Sequence, residues 1–227
     1  MTPFSTICAI STPPGIGGVA IIRISGNDAF SIVQKIASIN IASVNPRTLH
    51  NCNVHEHNNP DNFLDNCMIA KFVNPNSFTG EDVIELHIHG GVAIQNKILN
   101  ELFASGAIHA EAGEFTHRAF LNGKIDLLEA EAIGNIIHAQ TPNALSAASS
   151  GVHGILSQEI KKIKSNLVTI AASLFVDMDF GEEEHQTPPP DLTESVSALQ
   201  NLLSTSVNGI IASYGFSRGF PCQSSLF

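Results

Sequence analysis

Basic residues are scarce in this chain: 11 lysines and arginines stand against 21 aspartates and glutamates in 227 residues, a net charge of -10 with histidine neutral. No broad basic surface is therefore available to hold a polyanion through phosphate contacts and counterion release, and free-standing nucleic-acid binding is not expected. Cysteine is also sparse. The four residues Cys8, Cys52, Cys67 and Cys222 lie far apart, and no basic segment followed by an apolar one opens the chain. Both absences argue against secretion and a disulfide framework, and for a reducing, cytoplasmic location. The longest apolar runs fall well short of the roughly 20 residues that a membrane-spanning helix needs. What remains, 43% hydrophobic and 14% charged, suits an ordinary globular protein with one sizeable core or two small ones.

The most informative stretch runs from Ser77 to Gly91, S-F-T-G-E-D-V-I-E-L-H-I-H-G-G. From Val83 to His89, Ile84, Leu86 and Ile88 alternate with Glu85, His87 and His89, which predicts a strand with one core face and one polar face. Gly80 and the pair Gly90-Gly91 bound it with turns. A polar sheet face is usually just solvated. An H-x-H on a strand can also offer two imidazoles to a metal, but no C-x-x-C or H-E-x-x-H accompanies it, so no metal site is assigned.

Upstream, Ile7–Ile10 and Val19–Ile24 read as strands joined by the glycine-bearing loop 11–18. That loop lacks both the Gly-Lys-Ser/Thr of a P-loop and a G-x-G-x-x-G, and it leads into a β-branched run rather than a helix; it is not a nucleotide site. Arg23 is out of place in that apolar strand. A buried unpaired guanidinium is costly, so Arg23 must reach water, a ligand or a carboxylate such as Glu85. A helix is predicted from Ala29 to about Ile36. Residues 40–66, rich in Asn, Pro and His, read as loop and weak strand, with Met68–Val73 a short strand. Cys52, His55 and His57, with Cys67, offer a C-x-x-H-x-H cluster for a metal, but the Asn-rich setting and irregular spacing favour an exposed loop.

A helix from Val92 to about Ser105 follows, stopped by Gly106. The second dense motif spans Ala112 to Ile133, A-G-E-F-T-H-R-A-F-L-N-G-K-I-D-L-L-E-A-E-A-I: a short helix ended by Gly123, a link carrying Lys124, and a new helix with Asp126 and Glu129 at capping-box spacing. A lysine in such a link is usually solvated, though it can project towards a neighbour. Thr141-Pro142 opens a further helix, whose later part repeats Leu156, Ile160, Ile163, Leu167, Ile170 and Leu174 at coiled-coil period. It closes on the acidic run from Asp177 to Glu184. A return helix is predicted after Pro188-Pro189-Pro190, with Leu192, Val196, Leu199, Leu203 and Ile210 as its seam.

Taken together, S-F-T-G-E-D-x-x-E-x-H-x-H-G-G and G-E-F-x-x-R-A-F-L-N-x-K-x-D-L-x-x-A-E-A-I resemble the MnmE (TrmE) family of tRNA-modifying GTPases, and the resemblance covers about residues 3–212. One departure is Gly181, where the family's D-F-P-E-E corner has proline. The resemblance implies an α+β fold: a mixed-sheet, folate-binding and dimerising domain similar to that of aminomethyltransferases over 1–120, part of an all-α helical domain over 121–213, and an aberrant tail over 214–227. It also implies that Arg23, Glu85 and Lys124 bind 5-formyltetrahydrofolate or a related tetrahydrofolate, and that the intact enzyme modifies carbon 5 of the tRNA wobble uridine with an MnmG-type partner. GTP, Mg2+ and K+ would belong to a GTPase domain that the family inserts after the return helix. The tail here has Gly219 and Ser224-Ser225 but no Gly-Lys before the serines, so the chain is expected neither to bind nor to hydrolyse GTP. A truncated product that keeps folate binding and dimerisation is the primary reading. Half of a split enzyme completed by a separate GTPase chain, or a decayed product with an exposed helical seam, are the alternatives.

Overall fold

A computed structural model describes residues 5–152 and 154–180, together with Thr193, Val196, Ser197, Gln200, Asn201 and Ser204. The chain divides into two compact units, 1–125 and 126–227. The acidic corner beyond Phe180, most of the return helix and the tail lie outside the described residues.

The first unit is built on a six-stranded mixed sheet in the order β3-β4-β5-β2-β1-β6. Its strands are β1 (Ile7–Ile10), β2 (Val19–Ser25), β3 (Leu49–Glu56), β4 (Asn59–Phe72), β5 (Val83–His89) and β6 (Ile108–His109). All neighbours are antiparallel except β1 and β6. Alternation decides which face is buried. Ala20, Ile22 and Ile24 of β2, Ile84, Leu86 and Ile88 of β5, Cys67 and Ile69 of β4, and Cys52 and Val54 of β3 all belong to one core. Helices α1 (Ala29–Gln34) and α2 (Val92–Ala104) add Ile32, Val33, Ile98 and Leu102 to it. The register across the two central strands pairs Val19 with His89, Ile21 with His87 and Arg23 with Glu85, so the residues of opposite parity form the other face.

Two expectations are corrected in this unit. Residues 40–66 are not mainly loop: β3 and a fourteen-residue β4 pair along most of their length. Asparagine disfavours strands only weakly compared with the gain from the inward residues Cys52, Val54, Cys67 and Ile69, and the intervening asparagines hydrogen-bond to each other across the strands, Asn66 to Asn51 at 2.8 Å and to Asn53 at 2.6 Å. The two-residue β6 is also absent from the sequence reading, being too short to show a period.

After β6 comes α3 (Glu114–Leu121), ended by Asn122 and by Gly123 at φ 67°. The second unit contains α4 (Leu127–His138), α5 (Pro142–Val152) and α6 (Ile155–Phe180). The capping box at the start of α4 is present in both directions. The helix predicted from Thr141 onwards is instead two, because Gly154 adopts φ 65°, a left-handed conformation that ends one helix before the next begins. Among the described seam residues of α6, Ile163 is buried and Ile160 and Leu167 are exposed. No described helix is long and apolar enough to cross a membrane.

Candidate functional site

The polar face of β2 and β5 holds a compact set of charged and aromatic groups. Arg23 Nε donates to Glu85 Oε1 at 2.9 Å and Nη2 lies 2.8 Å from the same oxygen. Of the partners expected for Arg23, the carboxylate of Glu85 is the one it reaches. Two aromatic rings flank the guanidinium: Phe78 at 5.3 Å and Phe115 at 5.6 Å from their centroids. A planar cation held by a carboxylate and bounded by rings is fixed in position and orientation.

Both Arg23 contacts fall on Oε1, and Glu85 Oε2 makes no hydrogen bond among the described residues. It lies 3.6 Å from His87 Nε2, beyond hydrogen-bond range, and that nitrogen is itself buried without a partner. At the end of β5, His89 is held differently. Its ring Nδ1 lies 2.6 Å from Asp65 Oδ1, and its backbone N–H donates to Asp65 Oδ2 at 2.9 Å. A cavity of about 120 Å³ beside these histidines is lined by Gly18, Val19, Asn66, Cys67, Met68, His87, Ile88 and His89. None of Arg23, Glu85 and Lys124 lines it.

Lys124 reaches the loop between β4 and β5 rather than the sheet face. Its Nζ donates to Pro75 O at 2.9 Å, and its chain passes so close to Gly80 that a Cβ there would sit 3.0 Å from Lys124 Cγ. Phe78 belongs to the same loop, so residues 75–80 carry contacts to both Arg23 and Lys124.

That loop is anchored by a buried network. Ser25 Oγ donates to Glu81 Oε2 at 2.7 Å and lies 2.7 Å from Thr79 Oγ1. Asn122 Nδ2 donates to Thr79 O at 2.7 Å, and Arg118 reaches Glu81, Glu114 and the carbonyl of Ser5. Burial pushes the Glu114 carboxyl up, but the Glu111 amide and the Arg118 guanidinium outweigh it and hold it below the usual range.

Phe78, Phe115, Asp65 and Arg118 were not singled out from sequence. Three of them lie inside the two dense motifs, where their residue types were visible but their convergence was not. Asp65 falls in the segment misread as loop. The Cys52, His55, His57 and Cys67 cluster is not an exposed loop either: both cysteines are buried in paired strands. Among the described residues no group of three or more His, Cys, Asp or Glu side chains is placed to hold a metal.

Comparison with known proteins agrees with this layout. Residues 6–124 match the family described as GTP-binding protein TrmE N-terminus, and residues 127–217 match the MnmE helical domain. Among curated relatives, the tRNA modification GTPase MnmE of Fervidobacterium nodosum is 39% identical over 205 residues, 89% of this chain and 44% of the relative. That of Streptococcus sanguinis is 39% identical over 221 residues, 94% and 48%, and that of Chlamydia trachomatis serovar A is 43% identical over 204 residues, 88% and 45%. The chain thus spans about half the length of the curated relatives it matches. With both of its units matched in order and the signature strand of the first carrying the Arg23–Glu85 pair, the chain belongs to the MnmE (TrmE) family of tRNA modification GTPases.

Proposed function

We propose that the first unit binds a tetrahydrofolate one-carbon donor, of the 5-formyltetrahydrofolate type, and dimerises, as the folate module of a tRNA-modifying enzyme acting on carbon 5 of the wobble uridine. The open oxygen of Glu85 is the observation that carries this reading. A pterin presents N3–H and a 2-amino group side by side, and a carboxylate whose other contacts are already made can accept from them. Arg23 holds that carboxylate in place, and its guanidinium plane, bounded by Phe78 and Phe115, offers a flat cationic neighbour for a carbonyl or anionic part of the ligand. The unpartnered His87 nitrogen beside Glu85 marks a spot where a ligand polar group gains a partner without displacing one. Lys124, on the loop that also carries Phe78, would serve the ligand's outer anionic or carbonyl groups after releasing Pro75. When bound, the folate supplies the one-carbon unit.

GTP hydrolysis, an MnmG-type partner and the tRNA itself belong in this reading to the complete assembly, in which 1–120 is the folate and dimerisation part and 121–213 part of the helical domain. Calorimetric titration of 5-formyltetrahydrofolate into the full chain and its Glu85→Gln variant tests the assignment. Loss of a buried hydrogen-bonding partner, about 1–3 kcal/mol, corresponds to binding roughly fivefold to 150-fold weaker. Equal affinity of the two proteins would refute it.

A further inference from the structure

We propose that Cys52 and Cys67 form a redox-modification site, in which a hydroperoxide joins the two thiols into a disulfide across β3 and β4. The register places Cys52 directly opposite Cys67 in the antiparallel pair. Directly opposed residues in such a pair have Cα atoms about 4.5 or 5.5 Å apart, depending on the hydrogen-bonding position. Both spacings lie within the roughly 4.4–6.8 Å that a disulfide spans. Both side chains also point to the same face, since both belong to one core cluster, so their Cβ vectors converge rather than diverge.

Cys52 Sγ donates to Asn53 O at 3.4 Å. The neighbouring Cys67 thiol draws the Cys52 thiol down against the burial that pushes it up, while the same pairing together with burial pushes Cys67 up. One thiolate in the pair is therefore eased while its neighbour keeps a proton to donate. Cys8 is a contrasting case in the same protein: burial alone pushes its thiol up to about 12, and no other described cysteine stands opposite it.

The chemistry balances without another participant. One thiolate attacks the O–O bond of hydrogen peroxide, forming a sulfenic acid and releasing hydroxide, which takes up a proton to become water. The second thiol then attacks the sulfenic sulfur, the S–O bond breaks, and a second water leaves. Two sulfurs are oxidised and the peroxide is reduced. The resulting bridge ties β3 to β4 between Asp65, which holds His89, and Met68, which pairs with His87, so it braces the strand beside the polar face.

Peptide mapping of the full chain tests this. The protein is purified under reductant, exposed to hydrogen peroxide while folded, alkylated and digested without reduction. A peptide pair joining Cys52 to Cys67, about 2 Da lighter than its reduced parts and separated again by dithiothreitol, is the expected result, with Cys8 alkylated only after denaturation. The Cys67→Ser variant loses the cross-link and stops at a sulfenic acid on Cys52. Unmodified thiols, oxidation that ends in sulfenic or sulfinic acid in the wild type, a bridge to Cys8 or Cys222 instead, or a cross-link that appears only after unfolding would each overturn the proposal. Circular dichroism before and after oxidation reports whether the protein is folded, so the wild-type map decides even where the variant does not fold.

Discussion

Arg118 Nη1 lies 3.2 Å from one carboxylate oxygen of Glu81 and 3.3 Å from the other, while its Nε and Nη2 both donate to Glu114 Oε1. A single buried guanidinium from α3 thus neutralises two acids, one on its own helix and one on the loop that leads into β5.

Removing that guanidinium leaves both acids in a poorly solvated place with their partner gone. Arg118→Ala is expected to destabilise the protein by about 3 kcal/mol, the cost typical of breaking a buried charge network from one side. Arg118→Lys restores the charge but not the fork that serves Glu81, Glu114 and the Ser5 carbonyl together, and should recover only part of the loss. Urea unfolding of the three proteins measures this, and an alanine variant within 0.5 kcal/mol of wild type, about the spread of ordinary surface changes, would show that the network is not buried as described.

The same network sets an acid limit. Glu114 is held below its ordinary value of 4.5 in the folded protein. A depressed folded value means that its contribution is fully present above about pH 4.5 and is lost as pH falls through the lower folded value. The urea midpoint should therefore show no Glu114-dependent change between pH 7 and 5 and decline below 4.5. Glu114→Gln should flatten part of that decline but not all, because Asp126 is also depressed and titrates in the same direction.

How much of this was readable beforehand differs by element. The period-two pattern from Val83 to His89 is enough to place Glu85, His87 and His89 on one side, and the glycine and capping signals mark the end of α3 and the start of α4. Residues 40–66 mislead because their polar composition masks an inward alternation carried by only a few residues, among them Cys52, Val54 and Cys67. Convergence is less legible still. Nothing in the spacing of Phe78 and Phe115, 37 positions apart by number, says that both rings will bound Arg23, since that depends on how a loop and α3 close over the sheet.

Two glycines separate crowding from backbone strain. At Gly90 a Cβ would collide with the backbone carbonyl oxygen of Gly17, a residue whose own N–H donates to Gly90 O at 3.1 Å. Gly90→Ala must push the 11–18 loop away from β5, at about 2 kcal/mol. Gly113 has φ 75° but open space around it, so Gly113→Ala should cost only the left-handed conformation, about 1 kcal/mol. Thermal unfolding of both variants checks the order, which should reverse only if the loop relaxes freely.

The start of α4 offers a test in the second unit. Asp126 accepts the Glu129 N–H at 3.1 Å, and Glu129 Oε2 accepts the Asp126 N–H at 2.7 Å. Asp126 also faces Lys161 at 3.3 Å, a pair whose lysine is largely exposed and which adds little. Asp126→Ala removes the cap and should cost about 1 kcal/mol, whereas Asp126→Asn keeps a capping oxygen and should lose only a few tenths. Far-ultraviolet circular dichroism followed through thermal unfolding distinguishes the two. If the asparagine variant falls as far as the alanine one, the contribution of Asp126 comes from its charge beside Lys161 and not from the helix cap, and the reading of this corner must be reversed.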